Sequence, residues 1–83
     1  MVSFNVYCDY ISDTGDSVTY AFGGATDDIT GIVTFNLSDG SFDIEKEPDN
    51  CHIPIRYMYS LFFKYRDNFY QGIFKPKISY EIG

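Results

Sequence analysis

Apolar and polar residues alternate with a period of two in five segments of the chain, the mark of strands with one buried face. Phe4, Val6, Cys8 and Tyr10 share a face, with Asn5, Tyr7 and Asp9 opposite. Val18, Tyr20 and Phe22 repeat the pattern against Ser17, Thr19 and Ala21. Val33, Phe35 and Leu37 stand against Ile32, Thr34 and Asn36, and Phe42 and Ile44 against Asp43, Glu45 and Glu47. Near the C-terminus Ile78, Tyr80 and Ile82 oppose Lys77, Ser79 and Glu81.

One segment has a different period. From Pro54 to Gly72, spacing at about 100° per residue gathers Ile55, Met58, Tyr59, Leu61, Phe62, Phe63, Tyr65, Phe69 and Tyr70 into one arc of roughly 200°. Arg56, Ser60, Lys64, Asp67, Asn68 and Gln71 fill the other side, and Arg66 falls inside the arc, its stem expected to snorkel at the edge of the core. Pro54 suits the first helical turn, where its missing N–H needs no partner. Gly72 suits the residue just past the end, where a left-handed backbone is cheap for glycine. The spacing predicts an amphipathic helix that lays the whole arc on the apolar face of a sheet.

The turns fit this order. Ser12 to Asp16 separates the first two strands, and Gly23 to Asp28 makes a longer, looser loop. Asp39-Gly40 signals a two-residue hairpin between strands three and four. A meander of four strands, then the helix, brings strand five back antiparallel to strand one. The expectation is an α+β fold, ββββαβ, with a single antiparallel five-stranded sheet of order 5-1-2-3-4 and the helix on one face. Pairing of strand five beside strand four, in parallel, is the rival. Residues 1–83 are too few for a second core and make a single domain.

Composition adds weight to the core and little to the chemistry. Eight Phe and eight Tyr supply large rings, which a small core needs. The net charge of −6 disfavours nucleic acid and anionic membranes as partners, and suits a basic protein. No apolar run approaches the length of a membrane helix, and the first residues lack the basic and apolar regions of a signal peptide. The chain is therefore expected in the cytoplasm, with Cys8 and Cys51 as free thiols. Cys8 reads as a small buried hydrophobe and Cys51 as the accessible, reactive one.

Chemical motifs are weak. Asp13-Thr14-Gly15 matches the tripeptide of aspartic proteases but sits where a hairpin turn wants those residues. Asp9, Asp13, Asp16, Asp27 and Asp28 lack the EF-hand order and read as solvated turn carboxylates. Cys51-His52 is adjacent in sequence, which rarely lets thiol and imidazole meet, and a lone Cys–His pair is no zinc site. Gly23-Gly24 lacks the Lys-Ser/Thr of a phosphate loop. The expectation is a protein that is not an enzyme and takes no cofactor and no metal.

What remains is surface. The uncovered sheet face should show Tyr7 and Ile32 among threonines and acids. Tyr7, Ile32, Asp43 and Glu45 are the candidate partner-binding residues. A small, acidic, compact profile resembles that of inhibitor and immunity proteins and of adaptors, which points to a protein-binding module acting on a basic partner. The alternative is a structural or assembly protein that forms a homo-oligomer through edge strand four or the open sheet face.

Overall fold

The structure is a computed structural model and describes residues 4–82. Period-two alternation becomes five strands: β1 (Phe4–Asp13), β2 (Ser17–Gly23), β3 (Gly31–Asn36), β4 (Phe42–Lys46) and β5 (Lys77–Ile82). The 3.6-period segment becomes one helix, α1 (Ile55–Tyr70). The sheet has the order β4-β3-β2-β1-β5 and every neighbouring pair is antiparallel. Strand β5 lies beside β1, with Tyr7 opposite Ser79 and Asp9 opposite Lys77, so the parallel arrangement beside β4 is not formed.

Alternation sorts the side chains as expected. Val6, Cys8, Val18, Tyr20, Phe22, Val33, Phe35 and Ile78 are buried under the helix, and Leu37, Phe42, Ile44 and Tyr80 pack at the margin of that core. The inward positions expected of Phe4 and Ile82 fall outside the described side chains. The burial of so many rings and branched chains, at about 1.5–3 kcal/mol each, is the main stabilising term.

Several local expectations are corrected. Strand β1 runs on to Asp13 through a bulge between Tyr10 and Ser12, which leaves Tyr10 partly exposed and stacked on Phe74. The β3–β4 connection is longer than a two-residue hairpin. Gly40 N–H donates to Asn36 O (2.9 Å) and Asn36 N–H to Ser41 O (2.7 Å), so Leu37 to Gly40 form a four-residue loop and Leu37 lies past the strand. Pro54 stands just before the helix, with φ −57° and ψ 140°, rather than inside its first turn. The C-terminus closes as the sequence indicates: Gly72 has φ 77°, its N–H reaches Phe69 O (3.0 Å), and Ile73 N–H reaches Asn68 O (2.8 Å).

The largest correction concerns the helix. Of the wide apolar arc, only Met58, Leu61, Phe62 and Phe69 are buried, with Tyr65 half-buried. Ile55, Tyr59, Phe63 and Tyr70 are exposed. The reason is placement. The helix backbone approaches β5 and β1 most closely, and Tyr65 and Lys64 fix it there. Tyr65 donates its hydroxyl to Ser79 O (3.2 Å) and accepts from Ser79 N–H (3.3 Å), while Lys64 Nζ donates to the same carbonyl (3.0 Å). These bonds also satisfy the backbone of an edge strand that would otherwise be open to pairing. Large rings span the wider gap to the other edge: Phe35 to Phe62 at 4.9 Å and Phe42 to Tyr59 at 4.8 Å between centroids.

Candidate functional site

The open face of the sheet carries the residues that alternation sends away from the helix. Lys77, Asp9, Ala21 and Ile32 stand in one row across β5, β1, β2 and β3. Thr19, Thr34 and Asp43 make the next row across β2, β3 and β4. Tyr7 lies on β1 two residues from Asp9, so Tyr7 and Ile32 are two strands and two residues apart, about 12 Å. The structure thus puts Tyr7, Ile32, Asp43 and Glu45 on one face. Tyr7 and Ile32 are half-buried there, and Asp43 and Glu45 are exposed.

Neutral donors hold the two acids. Thr34 Oγ1 donates to Glu45 Oε2 (3.0 Å), which leaves Thr19 to donate to Thr34 across a 3.0 Å contact. Asn36 Nδ2 donates to Asp43 Oδ2 (3.3 Å) and to Ser41 Oγ (3.1 Å). Among the described residues no Lys, Arg or His pairs with Asp43 or Glu45. Their charge is oriented and not neutralised. Asp9, by contrast, meets Lys77 Nζ at 3.0 Å. That pair is mostly in solvent and contributes at most about 1 kcal/mol.

A cleft of about 200 Å³ opens beside Tyr7 and Asp9. Thr26 and Ile29 of the β2–β3 loop overhang it, and Lys77 and Ser79 form its far side. The loop is not loose. Asp28 is buried, and its Oδ1 accepts from Thr30 Oγ1 (3.0 Å) and Asn50 Nδ2 (3.2 Å). Thr30 Oγ1 in turn accepts from Asp49 N–H (2.8 Å), which ties the loop to the segment before the helix. Gly23 is required at the turn, since an added Cβ would stand 1.6 Å from Asp28 O. Reading Asp28 as a solvated carboxylate is therefore wrong. The signal for its burial, partners at positions 30 and 50, is invisible to periodicity.

The other candidate groups do not converge. His52 Nδ1 meets Glu47 Oε2 at 3.0 Å in solvent, and Cys51 faces the buried loop. Burial raises the Cys51 thiol above its ordinary value; a backbone hydrogen bond with Gly24 opposes the rise and the charge of Asp28 adds to it. Cys51 is half-buried, less open than a polar loop suggests but more accessible than the buried Cys8. Burial, chiefly, also raises the Cys8 thiol. Asp13 accepts from the Tyr10 hydroxyl at the end of β1. Among the described residues no three His, Cys, Asp or Glu side chains are placed to share a metal ion. No described helix is long and apolar enough to cross a membrane. Comparison with family models, with curated proteins and with solved structures gives no match for this chain.

Proposed function

We propose that the protein is a small acidic protein-binding module whose open sheet face receives a basic protein, as an inhibitor, immunity-like protein or adaptor does. The observation that carries this reading is the pair Asp43 and Glu45, fixed by Asn36 and Thr34 and, among the described residues, lacking a bonded cation of their own. Orientation by neutral donors lowers the cost of ordering the acids when a cationic group arrives. The cleft beside Tyr7 and Asp9 has room for one long side chain, with an aromatic wall for its stem and a carboxylate for its head. The net charge of −6 steers a basic partner in and turns phosphate backbones away. In this reading the surface binds and does not catalyse, and the two free thiols fit a reducing cytoplasm.

Titration of ¹⁵N-labelled protein with a short arginine-rich peptide tests the reading. Shifts are expected at Tyr7, Asp9, Ile32, Asp43, Glu45 and Lys77, weakening as salt shortens the Debye length below about 10 Å. Asp43→Lys with Glu45→Lys should lower the affinity several-fold. Shifts confined to the helix, or an unchanged affinity in that double variant, would move the binding surface elsewhere.

A further inference from the structure

Ile55, Tyr59, Phe63 and Tyr70 recur at helical spacing on one outward flank of α1 and are 57%, 58%, 69% and 54% exposed. The Arg66 guanidinium lies 4.8 Å over the Phe63 ring, within the same stripe. A shallow groove of about 660 Å³ follows it, bounded by Tyr59, Phe63, Arg66 and Tyr70 and by Asp39 and Gly40 of the β3–β4 loop. Tyrosine, phenylalanine and arginine together are what the centre of a protein contact is made of. At about 200 Å² for a large side chain, the four residues expose about 450 Å², near the largest patch a monomer ordinarily carries.

The geometry points to a second copy of this chain as the occupant: two α1 helices crossing antiparallel near Phe63, related by a two-fold axis. This surface is separate from the open sheet face and does not rest on the function proposed for that face. Three features select a copy. The first is area. Two stripes bury about 900 Å² between them, and modest rims bring the contact past the roughly 1,000 Å² that a specific interface needs. The second is charge. The helix holds Arg56, Lys64 and Arg66 against Asp67 alone, in a chain with 12 acids and six Lys or Arg. The surface thus carries both signs, Arg56 and Arg66 on the helix with Asp67 beside them and Asp39 across the groove, so a copy can meet cation with acid. A two-fold crossing at Phe63 also brings Arg56 of one helix within a turn of Asp67 of the other, twice over by symmetry. The third is the neighbouring edge. Strand β4 has five residues, an irregularity where Ile32–Lys46 pairing shifts to Val33–Ile44, and the acids Asp43 and Glu45. Strand pairing between copies would set like charges opposite each other, so the contact falls to the helix.

Sedimentation and light scattering on the full chain test this. The average mass should rise from one chain towards two between about 1 µM and about 500 µM, the range suited to an interface at the small end. Phe63→Glu, at an exposed position that leaves the core intact, should keep the protein monomeric throughout. Arg56→Asp and Asp67→Arg should each weaken the dimer, and the two together should restore it. Asp43→Lys with Glu45→Lys should dimerise like the natural chain, even where the peptide titration fails. A natural chain still monomeric at about 500 µM, a Phe63→Glu variant that dimerises normally, or a charge swap without rescue would overturn the proposal.

Discussion

Helix α1 carries two apolar stripes of similar composition, and the sheet takes one of them. Met58, Leu61, Phe62 and Phe69 are at most 5% exposed; Ile55, Tyr59, Phe63 and Tyr70 are at least 54% exposed. Residue type does not separate the two sets, since each holds large aliphatic or sulfur-bearing and aromatic side chains. Position does. A sheet is nearly flat on the scale of a helix and can cover only part of its circumference. Polar bonds from Tyr65 and Lys64 to Ser79 hold the helix on the β5 side of the sheet. That placement turns the flank nearer β4 away from the core. An apolar arc wider than its support leaves a surplus, and here the surplus is a continuous ring-and-arginine stripe.

The sharpest test of the comparison is to truncate one ring from each stripe. Phe69 touches Tyr20 at 5.9 Å, Phe35 at 5.7 Å and Phe62 at 5.8 Å between centroids. Phe69→Ala should cost about 3–5 kcal/mol in urea unfolding, because it removes buried area and leaves a cavity among rings that cannot close over it. Phe63→Ala, measured at protein concentrations low enough to keep the chain monomeric, should change stability by less than about 0.5 kcal/mol. Similar costs for the two would erase the distinction between the stripes.

A smaller effect comes from titration beneath the buried stripe. Burial is the main cause that raises the Cys8 thiol above its ordinary 9.0 and the Tyr20 phenol above its ordinary 10.0. Below about pH 8 both states of the protein keep these protons, and stability does not depend on them. Above it the unfolded chain releases them and the folded chain holds them, so stability falls as pH rises, by up to about 1.4 kcal/mol per pH unit for each group. Cys8 alone should lower stability by about 2 kcal/mol between about pH 8 and about pH 10.5, and Cys8→Ala should flatten the fall by about that much. An equal fall in the variant would mean that Cys8 is not shielded under the helix.

Alternation made the sheet legible from sequence because each strand has one side to bury and a fixed period of two; Val18, Tyr20 and Phe22 could point only one way. Antiparallel order followed from connectivity, since the helix returns the chain beside β1. The width of burial on α1 was not legible. Periodicity locates an apolar arc, but the sheet area under it depends on bonds between residues 14 or 15 positions apart, such as Tyr65 and Lys64 with Ser79. The candidate face was legible in the same unequal way. Tyr7, Ile32, Asp43 and Glu45 follow from alternation, whereas the cleft beside Tyr7 depends on Asp28 finding Asn50, 22 positions away.

Tyr59 marks the boundary between the stripes and gives the finest test. Its ring is mostly in solvent, yet it meets the half-buried Phe42 edge-on, with centroids 4.8 Å apart and planes at 67°. An edge-to-face pair contributes about 0.5–1.5 kcal/mol beyond the area it buries. A double-mutant cycle of Tyr59→Ala and Phe42→Ala, by urea unfolding of the monomer, isolates that coupling from the loss of either ring alone. We expect about 0.5–1 kcal/mol, the lower part of the range, because solvent reaches one side of the pair. A coupling near the top of the range would make Tyr59 a part of the core and shorten the outward stripe to Phe63, Tyr70 and Ile55. Coupling below about 0.3 kcal/mol would release the Tyr59 ring to the outward stripe altogether. The expected middle value means that one ring serves both: it seals the open side of the core over β4 and begins the surface that a second helix would cover.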